Sequence, residues 1–148
     1  MNLTPFHLAI PVRNKEEAKC FYLDVLSCSL GREGEKWIDL NLYGHQLVCH
    51  EIASGPQTSS SKEGSNPVDG HNVPIPHFGV VLELDEWKAL AQKLVAAEVD
   101  FIIEPYIRFA GKAGEQGTLF FRDPSGNAIE FKGFKNIEAE LFQKDDQG

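Results

Sequence analysis

Apolar and polar positions in the first part of the chain follow first the period of a strand, then that of a helix, then that of strands again. The pattern predicts one strand, one helix and two further strands, at residues 3–12, 13–28, 36–44 and 46–52. Asn14 stands at the position of a helix N-cap, and Glu16 and Glu17 suit the positive end of the helix dipole.

The same order of elements recurs in the second part of the chain. A strand, a helix that we expect Asp85 to cap, an extended segment and a hairpin are predicted at residues 77–84, 85–99, 100–109 and 118–134. Residues 53–76 between the two halves are rich in Ser, Gly, Pro and Asn, which predicts a long loop or linker. A repeat of this kind predicts two related units that pair their sheets around a shared cleft.

These elements predict a single α+β domain over residues 1–148, made of two modules. The expected parts are a first module, a loop, a second module and an acidic tail, at about residues 3–52, 53–76, 77–134 and 135–148. The tail is expected to be frayed.

Composition narrows the functional classes. The net charge of −8 argues against a nucleic-acid partner, because phosphate binding requires a basic surface. No apolar run approaches the roughly eighteen residues of a membrane span, and we expect no signal peptide. Three cysteines without CxxC spacing make a disulfide framework unexpected and favour a reducing cytoplasm.

Polar residues inside apolar strands are the candidate chemistry. Superposing the halves by their first strands puts His7 over His77, and the last strands put His50 over Glu130. A carboxylate in an apolar strand is costly unless it is paired or bound to a metal. Two imidazoles and one carboxylate from His7, His77 and Glu130 would form a facial triad that leaves open positions on a divalent ion.

The sequence resembles the vicinal oxygen chelate superfamily, which includes glyoxalase I, extradiol dioxygenases, methylmalonyl-CoA epimerase and the fosfomycin and bleomycin resistance proteins. The resemblance covers residues 3–134 and rests on "FHLAIPV", "EEAKCFYLDVLSC", "PHFGVVLEL" and above all "FFRDPSGNAIEF". A longer run resembles a small group of predicted extradiol dioxygenase-like proteins. The resemblance implies two βαβββ modules with curved mixed sheets enclosing a metal cleft. It also implies His7, His77 and Glu130 as ligands of one divalent metal ion.

The chain departs from the pattern of established extradiol enzymes at two positions. Phe120 occupies the place of their tyrosine, and their upstream histidine falls near Gly111. In glyoxalase I and the epimerase a fourth metal ligand comes from the last strand of the first module, which here falls at about His50. His50 would therefore be either that fourth ligand or, as in the three-ligand extradiol enzymes, an acid/base residue or a residue that supports the ligands without binding the metal.

Two further residues are catalytic candidates. Arg108 could bind a substrate carboxylate through its planar guanidinium, or could pair with Glu104 or Asp123 for structure. Tyr106 lies two residues earlier, on the same face of the predicted strand.

Three functions stay open at this point. The first is an extradiol dioxygenase-like oxidoreductase with iron as Fe(II), Mn being an alternative. The second is a glyoxalase- or epimerase-type lyase or isomerase with Ni, Co or Zn. The third is a metal-free binding or resistance protein. In each case we expect a cytoplasmic homodimer that binds a small molecule, and no nucleic-acid or membrane partner.

Overall fold

The chain divides into two units, and the second is interrupted by a segment of the first. The computed structural model describes residues 3–53, 64–68 and 70–144. The first unit comprises residues 1–76 together with 122–128, and the second comprises residues 77–121 together with 129–148. No helix within the described residues has both the length and the apolar character that a membrane span requires.

The first unit contains one helix against a four-stranded mixed sheet. Its elements are β1 (His7–Val12), α1 (Lys15–Asp24), β2 (Ser29–Glu33), β3 (Trp37–Leu42), β4 (His45–Glu51), β5 (Gly64–Val68) and β6 (His71–Ile75). The sheet order is β1-β4-β3-β2, with β1 and β4 parallel and the other pairs antiparallel. Strands β5 and β6 form a separate two-stranded sheet.

Helix α1 begins and packs as its sequence predicts. The side chain of Asn14 accepts a 2.8 Å hydrogen bond from the backbone N–H of Glu17, which satisfies one of the donors left open at a helix start. Tyr22 is buried on the face of α1 that meets β3 and β4, where Ile38, Leu40 and other alternating apolar side chains are buried in turn. Leu26, two residues past the end of α1, is buried as well. Polar side chains of β3 take the opposite face of the sheet.

The second unit repeats this plan. Its elements are β7 (Phe78–Glu83), α2 (Leu84–Ala96), β8 (Asp100–Arg108), β9 (Gln116–Arg122), β10 (Ala128–Phe134) and α3 (Ile137–Glu140). The sheet order is β7-β10-β9-β8, and β7 and β10 are parallel. Both units therefore have βαβββ order with the first strand beside the last, which confirms the predicted repeat and the α+β class.

Helix α2 fixes which face of the second sheet is covered. A Cβ atom added to Gly117 would lie 2.6 Å from the ring of Trp87, and one added to Gly133 would lie 2.5 Å from the Cβ of Trp87. The indole N–H of Trp87 also donates a 3.0 Å hydrogen bond to the carbonyl of Phe131. Two glycines on neighbouring strands thus make room for one tryptophan, and the odd-numbered side chains of β9 and β10 face α2.

Several predictions about element ends and connections were wrong. Helix α2 begins at Leu84 with Glu83 as N-cap, and no side-chain bond caps it, so Asp85 lies in the first turn instead of capping. Residues 64–68 and 71–75 of the expected loop pair as β5 and β6, the β5–β6 hairpin, because each is an edge strand of a two-stranded sheet, where Pro is tolerated. The expected frayed tail contains α3, whose Asn136 side chain accepts a 3.2 Å bond from the N–H of Ala139. Residues 1–2, 54–63, 69 and 145–148 lie outside the described part.

The turn between β9 and β10 belongs to the first unit. The Asn127 side chain donates to the carbonyl of Pro11 at 2.9 Å, and the backbone N–H of Arg13 donates to the Ser125 hydroxyl at 3.0 Å. Arg122 closes the turn with a 2.9 Å bond to the carbonyl of Gly126. These bonds to the end of β1 explain why the turn groups with the first unit although most of β9 and β10 belongs to the second.

Candidate metal centre

His77 and Glu130 lie side by side in the second unit. Glu130 is on β10, the strand between β7 and β9, and its Cα partner on β7 is Gly79. His77 directly precedes β7, and its Nε2 lies 3.1 Å from Oε2 of Glu130. Their side chains are 28% and 13% exposed, so the pair is partly withdrawn from solvent.

Three neighbours define the surroundings of this pair. The Thr118 hydroxyl lies 3.3 Å from Oε1 of Glu130, and Lys132 Nζ lies 4.0 Å from the same oxygen. The ring of Phe120 meets the imidazole of His77 edge-on, with centroids 4.9 Å apart. Sequence reasoning missed Thr118 and Lys132. Strand alternation could have indicated Lys132, because it follows Glu130 by two residues.

His7 lies on β1 of the first unit and has a different partner. Its Nδ1 is 2.7 Å from the side-chain oxygen of Gln46, the residue directly opposite on β4. With an amide oxygen as acceptor, Nδ1 carries the proton and Nε2 presents a lone pair, which is the tautomer a metal-binding imidazole needs. Nothing in the sequence singles out Gln46 before the strand register is known.

The strand registers correct the equivalence of His50 and Glu130. In the second unit Glu130 pairs with Gly79, two residues after His77, whereas in the first unit the residue two after His7 is Ala9, which pairs with Val48. The counterpart of Glu130 is therefore Val48, a buried aliphatic side chain that cannot bind a metal. His50 pairs with Pro11, which makes it the counterpart of Lys132. The error was two residues, because apolar runs on both strands allowed either alignment.

Tyr106 and Arg108 lie on β8, one of the two edge strands of the second sheet. Both side chains are half-buried and occupy alternate positions of the strand, as predicted. The Arg108 guanidinium carbon lies 5.1 Å from the centre of the Phe109 ring, a cation–π arrangement. Their assignment to substrate binding stays a prediction, as does that of His50 to acid/base chemistry.

The donor set fits two positions of a divalent metal site. Bonds of about 2.0–2.2 Å to imidazole nitrogen and carboxylate oxygen, meeting near a right angle, put two donors about 3 Å apart. The separation of 3.1 Å between His77 Nε2 and Glu130 Oε2 agrees with that spacing. Within residues 3–53, 64–68 and 70–144, no group of three or more His, Cys, Asp or Glu side chains is gathered closely enough to hold an ion.

Comparison with known proteins decides the family. A sequence model of the glyoxalase/bleomycin resistance protein/dioxygenase superfamily matches residues 4–131, most of the chain. The protein belongs to this superfamily. A crystal structure of a glyoxalase/bleomycin resistance protein/dioxygenase from Alicyclobacillus acidocaldarius is 32% identical, with a TM-score of 0.69 over 91% of this chain and 94% of that one. The resemblance inferred from "FFRDPSGNAIEF" and the strand histidines is confirmed at the level of the superfamily.

More distant members of the superfamily share the fold. The fosfomycin resistance protein FosX from Listeria monocytogenes is 12% identical, with a TM-score of 0.62 over 93% of this chain and 96% of its own. Lactoylglutathione lyase from Agrobacterium tumefaciens is 18% identical, with a TM-score of 0.58 over 89% and 94%. No curated protein sequence matches the chain. The superfamily contains both enzymes and resistance proteins, so membership alone does not assign a reaction.

Proposed function

We propose that this protein is a mononuclear metal enzyme, extradiol dioxygenase-like, that acts on a small substrate with two neighbouring oxygens. The observation that carries the proposal is the 3.1 Å approach of His77 Nε2 to Glu130 Oε2. An imidazole just before β7 and a carboxylate on the neighbouring strand β10, at this separation, form two adjacent ligands for one divalent ion. The proposed ion is Fe(II), with Mn, Ni, Co or Zn as alternatives.

The chain's own residues have separable tasks in this proposal. His77 and Glu130 would hold the ion, and the assignment of His7 to the same ion stays a prediction. Bound there, a divalent ion supplies Lewis-acid stabilisation of negative charge on the substrate oxygens. Thr118 fixes Glu130 through its 3.3 Å contact, and Phe120 limits rotation of the His77 ring by edge-on packing. His50 is the candidate for moving the substrate proton, because a ring nitrogen of neutral imidazole can accept a proton and return it.

The register favours a three-ligand site over a four-ligand one. A lyase or isomerase of the glyoxalase type requires a fourth ligand from the last strand of the first module. The position equivalent to Glu130 on that strand is Val48, and His50 is two residues further along. This supports the dioxygenase-like function, with the lyase or isomerase as the alternative. A metal-free binding protein ranks last, because such relatives lack the ligand residues that this chain keeps.

Metal stoichiometry tests the proposal directly. The protein is purified without chelators or affinity metals, loaded anaerobically with Fe(II), desalted and analysed by elemental mass spectrometry. About one retained ion per chain is expected for the wild type, and a strong loss for His77→Ala and for Glu130→Gln. His7→Ala tests the third ligand in the same way. His71→Ala removes an exposed histidine of β6 and is the matched control.

The reaction is then assigned by substrate class. The loaded protein is offered catechols with oxygen, and separately 2-oxoaldehydes with glutathione. Ring-cleaved product from a catechol supports the dioxygenase-like proposal, and thioester product supports the lyase. The loading is repeated with Mn, Ni, Co and Zn. If the wild type retains none of these ions and no Fe(II), the enzyme proposal fails and the binding-protein function replaces it. Members of the superfamily often form dimers. Light scattering on the purified protein tests whether this chain forms the proposed homodimer.

A further inference from the structure

Side chains on the uncovered face of the second sheet form a line that leads away from Glu130. Because Trp87 packs against Gly117 and Gly133, the even-numbered side chains of β9 and β10 point to the face opposite α2. Along β10 this face presents Glu130, Lys132 and Phe134 in turn. The contact between Thr118 and Glu130 shows that β9 contributes to the same face.

A cavity of about 360 Å³ lies at the far end of this line. Phe109 and Phe134 give it aromatic walls, Gln116 contributes an amide, and Glu140 contributes a carboxylate. Its volume falls within the range of about 300–1,000 Å³ that small-molecule sites occupy. Since Phe134 follows Lys132 by two residues on one strand, Lys132 stands between the cavity and the His77–Glu130 pair.

Lys132 supplies the positive charge on this line, and its ion pair with the Glu130 carboxylate is a long one. Its Nζ lies 4.0 Å from Oε1 of Glu130, beyond hydrogen-bond distance, and its side chain is 44% exposed. The other oxygen of the same carboxylate lies closer to His77, at 3.1 Å. An exposed ion pair of this length contributes little free energy, so the ammonium group can exchange it for a ligand at small cost. The ammonium group is therefore available to a ligand.

We propose that Lys132 binds a negatively charged group of the substrate, so that the substrate is a small organic monoanion with an apolar ring-sized end. This inference rests on the proposed function, since it names the substrate class of that site. The carboxylate of Glu140 in the cavity disfavours a second negative group there, so the apolar end lies toward Phe134 and the anionic group at Lys132. A local cation is needed because the chain as a whole carries a charge of −8 and repels anions.

Two probes of nearly equal shape isolate the charge. They are 3,4-dihydroxybenzoate and the neutral 3,4-dihydroxybenzamide, both of which carry neighbouring oxygens on a ring. Calorimetric titration of the wild-type protein is expected to show roughly tenfold tighter binding of the benzoate, as for one charge-assisted hydrogen bond. Lys132→Met removes this preference while binding of the benzamide stays within about twofold, and Lys132→Arg retains it.

A control lysine on α2 and titrations with and without metal separate the role of Lys132 from that of the metal. Lys88→Met makes the same change on an exposed position of α2 and is expected to keep the preference. The titrations are run on metal-free protein and again after anaerobic loading with Fe(II). If the protein retains no metal but keeps a preference that depends on Lys132, the proposed function fails and the lysine assignment holds. Equal binding of both probes by the wild type, a preference that survives in Lys132→Met, or no binding at millimolar concentration overturns it.

Discussion

The Tyr22 hydroxyl donates a 2.7 Å hydrogen bond to the Asp123 carboxylate, with both side chains buried. Tyr22 comes from α1, and Asp123 opens the turn between β9 and β10. The same carboxylate accepts backbone N–H bonds from Ser125 at 2.9 Å and from Asn127 at 2.8 Å. One buried carboxylate therefore holds its own turn in shape and attaches the turn to the helix of the first unit.

Removing the phenolic hydroxyl should weaken this attachment. Tyr22→Phe keeps the buried ring but leaves the carboxylate with one donor fewer, so we expect the free energy of unfolding to fall by about 1–3 kcal/mol. Urea denaturation followed by circular dichroism measures the change. Asp123→Asn combined with Tyr22→Phe should cost less than the sum of the single changes, because the two groups share one bond. Strict additivity would show that the bond contributes nothing.

Asp123 should make the free energy of unfolding depend on pH in a defined direction. Burial raises the pKa of the Asp123 carboxyl, and its hydrogen bonds to Asn127 and Tyr22 offset this only in part. A raised pKa in the folded state means that the contribution is present below the unfolded value of about 3.9 and is lost as pH rises through the folded value. We therefore expect the unfolding free energy of the wild type to fall relative to Asp123→Asn from about pH 4 upward. A constant difference between the two proteins across that range would contradict the raised pKa.

Gly79 leaves no space for a side chain beside Glu130. A Cβ atom at this position would overlap the Glu130 carbonyl oxygen, so β7 and β10 would have to separate. Gly79→Ala should lower the free energy of unfolding by about 1–3 kcal/mol or more and reduce the retained metal. Gly64→Ala is the matched control, since nothing lies within 4 Å of the point that its Cβ would occupy and its φ is ordinary. Equal melting temperatures for the two variants would refute the close approach.

Gln46 should control the proton position on His7. Gln46→Leu removes the acceptor 2.7 Å from Nδ1, and we expect the ring to populate the other tautomer. Nitrogen-15 chemical shifts of the His7 ring in metal-free protein report the tautomer, and no activity assay is needed. If His7 is a metal ligand, metal affinity should also fall by about 10–100-fold. Gln92→Leu on the exposed surface of α2 should leave both quantities unchanged.

The three cysteines should differ sharply in reactivity. Burial raises the pKa of the Cys28 and Cys49 thiols to about 12, so almost no thiolate forms at neutral pH. Cys20 is exposed on α1, and all three are free. Iodoacetamide should therefore modify Cys20 alone in the native protein and all three thiols after denaturation. Intact mass and peptide mapping would count the adducts, and rapid native labelling of Cys49 would reveal an opening of the first sheet.

The repeat was predictable because each half carries its own periodic signal. Alternating apolar residues in β3, the cap at Asn14 and the polar interruptions at His7 and His77 are local features, so the sequence alone indicates them. The strand β2 was harder to recognise because it is a short edge strand with every residue exposed, and it lacks an alternating apolar face. The β5–β6 hairpin contains Pro67 and Pro74, which mark a loop when read locally.

The site was predictable only in part, because register is not a local property. A shift of two residues keeps every side chain on its face, so alternation could not distinguish Val48 from His50 as the counterpart of Glu130. The same alternation predicts that Lys132 shares a face with Glu130, because it follows Glu130 by two residues. Gln46 and Thr118 acquire a role only through the strand that lies opposite them, and pairing partners are fixed by the whole sheet.

The inclusion of residues 122–128 in the first unit means that the two units are interleaved along the chain. A protease cut or a gene truncation after Pro76 would not release two complete modules. A fragment ending there would expose Tyr22 without its acceptor, and a fragment starting at His77 would carry a turn without the helix that holds it. The two fragments should instead complement each other when mixed. If an ancestral gene duplication produced this chain, removing either half of the gene no longer leaves a complete single module.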